Sequence, residues 1–76
     1  MEFSKDIIGA RIKESRIERG INAVEIAKTI GISKSAISQI ESRRNAPDVV
    51  TLFKLCQLLN VSSDYLLGLS DVRERR

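Results

Sequence analysis

Lys34, Ser35, Ser38 and Gln39 are the residues of this chain whose types and spacing could do chemistry together. On a helix beginning after Ser33 they fall on one side, each carries a hydrogen-bonding group, and no acid stands among them. Such a set can recognise a partner rich in donors and acceptors. Nothing in the chain looks able to transform a substrate. There is no histidine, the single cysteine Cys56 has no intramolecular disulfide partner, and the carboxylates are scattered. No zinc-ligand set, Cys/His pair or acid–base pair can therefore be named. The expectation is a protein that is not an enzyme and takes no cofactor and no metal.

The elements that must position this polar set are legible from caps and apolar spacing. Asn22 can accept a backbone N–H while Glu25, three residues on, reaches back to the cap, which starts a helix over about residues 22–30. Ile26, Ala27 and Ile30 make its inner stripe, and Gly31 can take the left-handed conformation that ends it. Ser33 can cap the next helix, whose inward positions are Ile37 and Ile40. Ser42 then joins Ser35, Ser38 and Gln39 on the outer face. Upstream, Ser4 to Arg19 reads as a first helix, opened at Ser4 or Lys5, with Asp6 near its positive end, Ile8 and Ile12 facing inward and Gly20 as terminator. Downstream, Pro47 keeps Ala46 out of helical geometry and Asp48 can cap a fourth helix, Val49 to Leu59, with the stripe Leu52, Leu55, Cys56 and Leu59. On that stripe Cys56 reads as a small buried hydrophobe. Asn60 closes the helix, and Ser62 opens a short fifth one carrying Tyr65, Leu66 and Leu67, with Gly68 just past its end.

The segment INAVEIAKTIGISKSAISQIE, Ile21 to Glu41, resembles the helix-turn-helix of lambda-repressor-like (Cro and XRE type) DNA-binding domains. The small residue at the helix contact is Ala27, the turn glycine is Gly31, and the shared core is Ile26, Ile30, Ile32, Ile37 and Ile40. GARIKESRIERG before it is similar to the family's first helix, and NAPDVVTLFKLCQLLNVSSDYLLG after it to the fourth and fifth, so the likeness spans roughly residues 8–68. It implies an all-α, compact five-helix domain over residues 1–70, with helices 2 and 3 forming the helix-turn-helix. Residues 71–76 are expected to be a short, basic, frayed tail.

The resemblance also assigns roles. The third helix would enter the major groove of double-stranded DNA, with Lys34, Ser35, Ser38 and Gln39 reading bases: Gln39 can pair bidentately with adenine, and Lys34 can donate to guanine O6 or N7. Asn22, Ala23 and Val24, at the positive end of the second helix, and Arg43, Arg44 and Asn45, after the third, would hold phosphates. Arg16 continues the inner face of the first helix, where an unpaired charge is expensive, and the family pairs that place with a glutamate, here Glu41. In the fifth helix the large residues Tyr65, Leu66 and Leu67 exceed what one core face needs. Two of them would pack inward, and the helix would contribute to a twofold dimer contact. The expected protein is a homodimeric transcriptional regulator, acting most simply as a repressor on a palindromic operator with half-sites about 34 Å apart. The alternative is a protein–protein interaction module that keeps the fold without specific DNA binding.

Three positions depart from the family pattern. Ala23 stands where relatives usually carry a glutamine that touches phosphate and braces the third helix, and Ser15 replaces an aliphatic on the first helix. Arg43 stands where a glycine commonly follows the third helix, so it either accepts a positive φ or the helix ends differently.

Composition agrees with a small regulator. A chain of 76 residues buries only about 60% of its unfolded surface, enough for a helical core and too little for an enclosed substrate cavity. The net charge of +3 is concentrated in the middle. Residues 21–47 carry four basic and two acidic side chains, whereas residues 1–20 carry five and four and residues 48–76 four and four. A surface meeting phosphates would have this bias. No apolar run approaches the roughly 20 residues of a membrane span, and MEFSKD lacks the order of a signal peptide. The expected location is the cytoplasm of a bacterium, on the nucleoid when bound, with no membrane partner.

Overall fold

The computed structural model describes residues 5–72. Five helices follow in order: α1 Lys5–Glu18, α2 Ala23–Ile30, α3 Lys34–Glu41, α4 Val49–Leu59 and α5 Ser63–Leu67. Ser4, one of the two expected openings of the first helix, lies outside the described residues. None of the described helices is long and apolar enough to cross a membrane.

Each of the four later helices starts at a side-chain cap. The Asn22 side-chain oxygen accepts from the Glu25 backbone N–H at 2.8 Å, Ser33 Oγ from Ala36 at 3.0 Å, Asp48 Oδ1 from Thr51 at 2.7 Å and Ser62 Oγ from Tyr65 at 3.0 Å. Each bond satisfies one of the orphan N–H groups of a first turn. Glu25 does reach back to the cap, but it accepts from the Asn22 side-chain amide at 3.0 Å rather than from the backbone. The bond to Thr51 holds the Asp48 carboxyl below its ordinary range, because a donated N–H favours the charged form.

The turn between α2 and α3 needs the left-handed conformation. Gly31 adopts φ 80°, and both its own N–H and that of Ile32 donate to the Ala27 carbonyl, at 2.9 and 3.0 Å. α4 ends on Asn60 at φ 54°, also left-handed, a conformation asparagine tolerates better than most side chains.

The core is one cluster drawn from every helix, including Ile8 and Ile12 of α1, Ile26, Ala27 and Ile30 of α2, Ile37 and Ile40 of α3, Leu55, Cys56 and Leu59 of α4, and Tyr65 and Leu66 of α5. On α4 the buried positions include Thr51, one turn before Leu55, while Leu52 is only half-buried. Ser15 is buried as well, and its Oγ has no hydrogen-bond partner among the described residues. Gly9 lets α1 approach the end of α3 closely. A Cβ there would lie 2.5 Å from the Ile40 carbonyl oxygen and 3.3 Å from Arg43 Cγ, so any side chain at this position would separate the two helices.

Beyond α5 the chain is hydrogen-bonded back to the domain as far as Val72. Arg11, on α1, donates to the carbonyl oxygens of Tyr65 and Ser70 and to Asp71 Oδ1, and its guanidinium stacks 4.2 Å above the Tyr65 ring. Ser62 Oγ donates to the Val72 carbonyl at 3.1 Å. Asp71 and Val72 are therefore tied to the domain, and residues 73–76 lie outside the described residues.

Candidate nucleic-acid interface

α3 packs its apolar side inward through Ile37 and Ile40 and leaves Lys34, Ser35, Ser38 and Gln39 exposed together on the other side. The charge pattern of this helix runs against its own dipole. Lys34 sits in the first turn, where backbone partial charge is positive, and Glu41 in the last, where it is negative; each placement costs about 0.3–1 kcal/mol at an exposed site. Glu41 recovers that cost from Arg16. The guanidinium grips it bidentately, Nε to Oε2 at 2.8 Å and Nη2 to Oε1 at 3.0 Å, while Nη1 donates to the Ile21 carbonyl at 3.0 Å. The two side chains are 14% and 10% exposed, so the pair is mostly desolvated. Its hydrogen bonds raise the Arg16 pKa above the ordinary arginine value. One arginine thus joins α1, the loop before α2 and the end of α3. Lys34 is exposed and has no ion-pair partner among the described residues to offset its position.

The flanking groups line up on the same segment. Asn22 and Val24 are exposed at the start of α2, and Ala23 is half-buried with its methyl packed against the core. The first-turn N–H groups of Ala23 and Val24 point out of the helix end, where geometry gives them no intrahelical acceptor. After α3, Arg43, Arg44 and Asn45 are all exposed. Arg43 takes φ 71°, the left-handed conformation that a glycine would accept without strain, and its N–H donates to the Ile40 carbonyl. Of the two outcomes open at this position, the chain adopts the strained backbone. The loop then folds back on Gln39: the N–H groups of Arg44 and Asn45 donate to its carbonyl at 2.9 and 3.3 Å, and the Asn45 side-chain amide donates to Gln39 Oε1 at 2.6 Å.

Two of the three large residues of α5 pack inward, as expected. Leu66 is fully buried and Tyr65 is 7% exposed, both inside the protomer core, and a side chain spent there has no surface to offer a second copy. Leu67 is half-buried and remains available. The larger uncovered apolar surface lies on α4, where Val49, Val50 and Phe53 are 82%, 62% and 60% exposed. They form an i, i+1, i+4 stripe on the side opposite the buried one, a signal present in the sequence but masked by the stronger inner stripe. Arg11 was the other missed residue; no spacing rule links position 11 to a backbone turn at 65–71.

A helix-turn-helix family model matches residues 12–66. The chain belongs to the helix-turn-helix family. Over 68 residues it is 40% identical to the HTH-type transcriptional regulator ImmR of Bacillus subtilis, a match covering 90% of this chain and 54% of ImmR. It thus spans about half the length of that relative. Among solved structures, the master regulator for biofilm formation SinR in complex with DNA superimposes with a TM-score of 0.73 at 39% identity, over 79% of this chain and 97% of that one. The P22 c2 repressor protein in complex with a synthetic operator gives 0.78 at 35% identity, over 83% and 96%. The family and these relatives are DNA-binding transcriptional regulators rather than enzymes. Among the described residues no group of histidine, cysteine or carboxylate side chains could hold a metal ion.

Proposed function

We propose that this chain binds a palindromic DNA operator as a homodimer and represses transcription from it, with α3 in the major groove. The observation that carries the reading is the acid-free exposed face of α3, mounted on a desolvated Arg16–Glu41 pair and headed by a lysine that its own helix dipole disfavours. A residue kept against local stability is best explained by a partner that is absent from the free protein. The similar SinR and P22 c2 structures were solved with DNA and with operator, which supports the same partner here.

In this reading Lys34, Ser35, Ser38 and Gln39 face base edges. Phosphates meet the α2 N-terminus at Asn22, Ala23 and Val24 on one side and Arg43 and Arg44 on the other. Arg43 supplies a backbone contact on a surface where Ala23 supplies only its N–H. Leu67 and the exposed stripe of α4 offer apolar surface for a second copy, which would set two α3 helices about 34 Å apart.

Selection of sites from random duplexes tests the proposal. The expected result is an enriched palindrome with half-sites one helical turn apart, bound with an affinity that falls steeply with salt. Gln39→Ala and Lys34→Ala should each lose about 1–3 kcal/mol of discrimination at a single base pair. No enriched site and no salt dependence would instead make the chain a protein-interaction module on the same fold.

A further inference from the structure

Asn45 sits among the exposed cationic residues after α3, but its side chain is turned to Gln39 rather than outward to where a phosphate would lie. Three hydrogen bonds join the loop to that one glutamine: two backbone N–H groups, from Arg44 and Asn45, meet its carbonyl, and the Asn45 amide meets its side-chain oxygen at 2.6 Å. Within the described residues this is a short ring of bonds that closes the C-terminal end of α3 onto a residue of its recognition face.

We infer that Asn45 is a positioning residue for base reading: it fixes the rotamer of the Gln39 side chain, so that specificity at one base pair depends on a side chain that does not touch the base. The inference rests on the DNA-reading role of α3. An amide has an acceptor end and a donor end, and an unrestrained glutamine presents them in either order. The bond to Asn45 holds the Gln39 amide against the loop, and because both amides carry a donor and an acceptor, the contact fixes where the group lies while leaving its free edge open to a base. An adenine edge asks for one acceptor, to meet its N6 amino group, and one donor, to meet N7, in a set order. Holding the amide beforehand removes the cost of freezing a flexible side chain on binding, a gain realised only where Gln39 meets its base. A phosphate-binding asparagine would behave differently, because a backbone contact strengthens binding equally at every sequence.

Two measurements on the full chain test this. In the free protein, 15N relaxation of the Gln39 side-chain amide should show restricted motion, and Asn45→Ala should release it; equal mobility in both proteins would overturn the inference whatever the DNA does. On the site selected by the wild-type chain, Asn45→Ala and Gln39→Ala are compared against a panel carrying every single base-pair change. Asn45→Ala should lower discrimination roughly tenfold at the same base pair as Gln39→Ala and nowhere else, keep the salt dependence unchanged, and add nothing to Gln39→Ala in the double variant. A uniform loss across the panel, with the salt slope reduced by about one, would make Asn45 a phosphate contact and overturn the inference while leaving the DNA reading intact. Failure of the wild-type chain to select any site would overturn both.

Discussion

Arg43 holds a backbone conformation that works against its own side chain. Its left-handed backbone costs a non-glycine residue about 1–2 kcal/mol, and nothing in its hydrogen bonding requires a side chain there. Arg43→Gly should therefore stabilise the fold by about 0.5–1 kcal/mol, after the extra freedom of glycine in the unfolded chain is subtracted. It should also weaken DNA binding and reduce the salt slope by about one; urea denaturation and titrations at several salt concentrations measure the two effects. Ser15 is the contrasting case. Its buried hydroxyl has no partner among the described residues, so Ser15→Ala removes a desolvated group without opening a large cavity and should raise stability by about 1 kcal/mol with DNA affinity unchanged. Position 15 could be read in the sequence as a polar residue on an apolar stripe. The missing partner could not, because it depends on which atoms of other helices come within reach.

At the scale of the elements, caps and turns decide where each helix begins and ends, and these were legible because every such bond spans only a few residues. Asp48 gives a pH test of one of them. Its folded-state pKa is lowered, so the stability it contributes is present above the ordinary carboxylate range and is lost as pH falls through the depressed value. Asparagine caps a helix as well as aspartate but does not titrate, so Asp48→Asn should flatten the fall in Tm below about pH 4 and leave the neutral Tm nearly unchanged. The Arg16–Glu41 pair links elements instead of ending one. Because both groups are mostly desolvated, breaking the pair strands a charge, and Arg16→Ala or Glu41→Ala should each cost roughly 2–4 kcal/mol. In a double-mutant cycle the two losses should be strongly non-additive; additive losses would show that the side chains act independently.

Across the whole molecule, α1 acts as the spine on which the recognition unit and the C-terminal turn are both mounted. Gly9 admits the end of α3, Arg16 locks it, and Arg11 fastens the chain from Tyr65 to Asp71. Removing the last of these should be a local event. Arg11→Ala is expected to raise amide hydrogen exchange about tenfold or more across Leu69 to Val72 while α2 and α3 keep their protection, since about 1 kcal/mol or more is lost with each charged hydrogen bond. The sequence by itself determined the five helices, the caps of the last four, the glycine turn, most of the inner stripes and the polar face of α3, because caps, periodicity and turns are properties of neighbours in the chain. Only the tertiary structure decided that Tyr65 and Leu66 are spent in the core, that Asp71 and Val72 are held, that Gly9 is a close-packing site and that Asn45 turns to Gln39. Those outcomes rest on atoms brought together from distant helices or from a loop whose path no local rule prescribes. The face formed by Lys34, Ser35, Ser38 and Gln39 belongs to both accounts: helical spacing put the residues together, and the fold left them exposed.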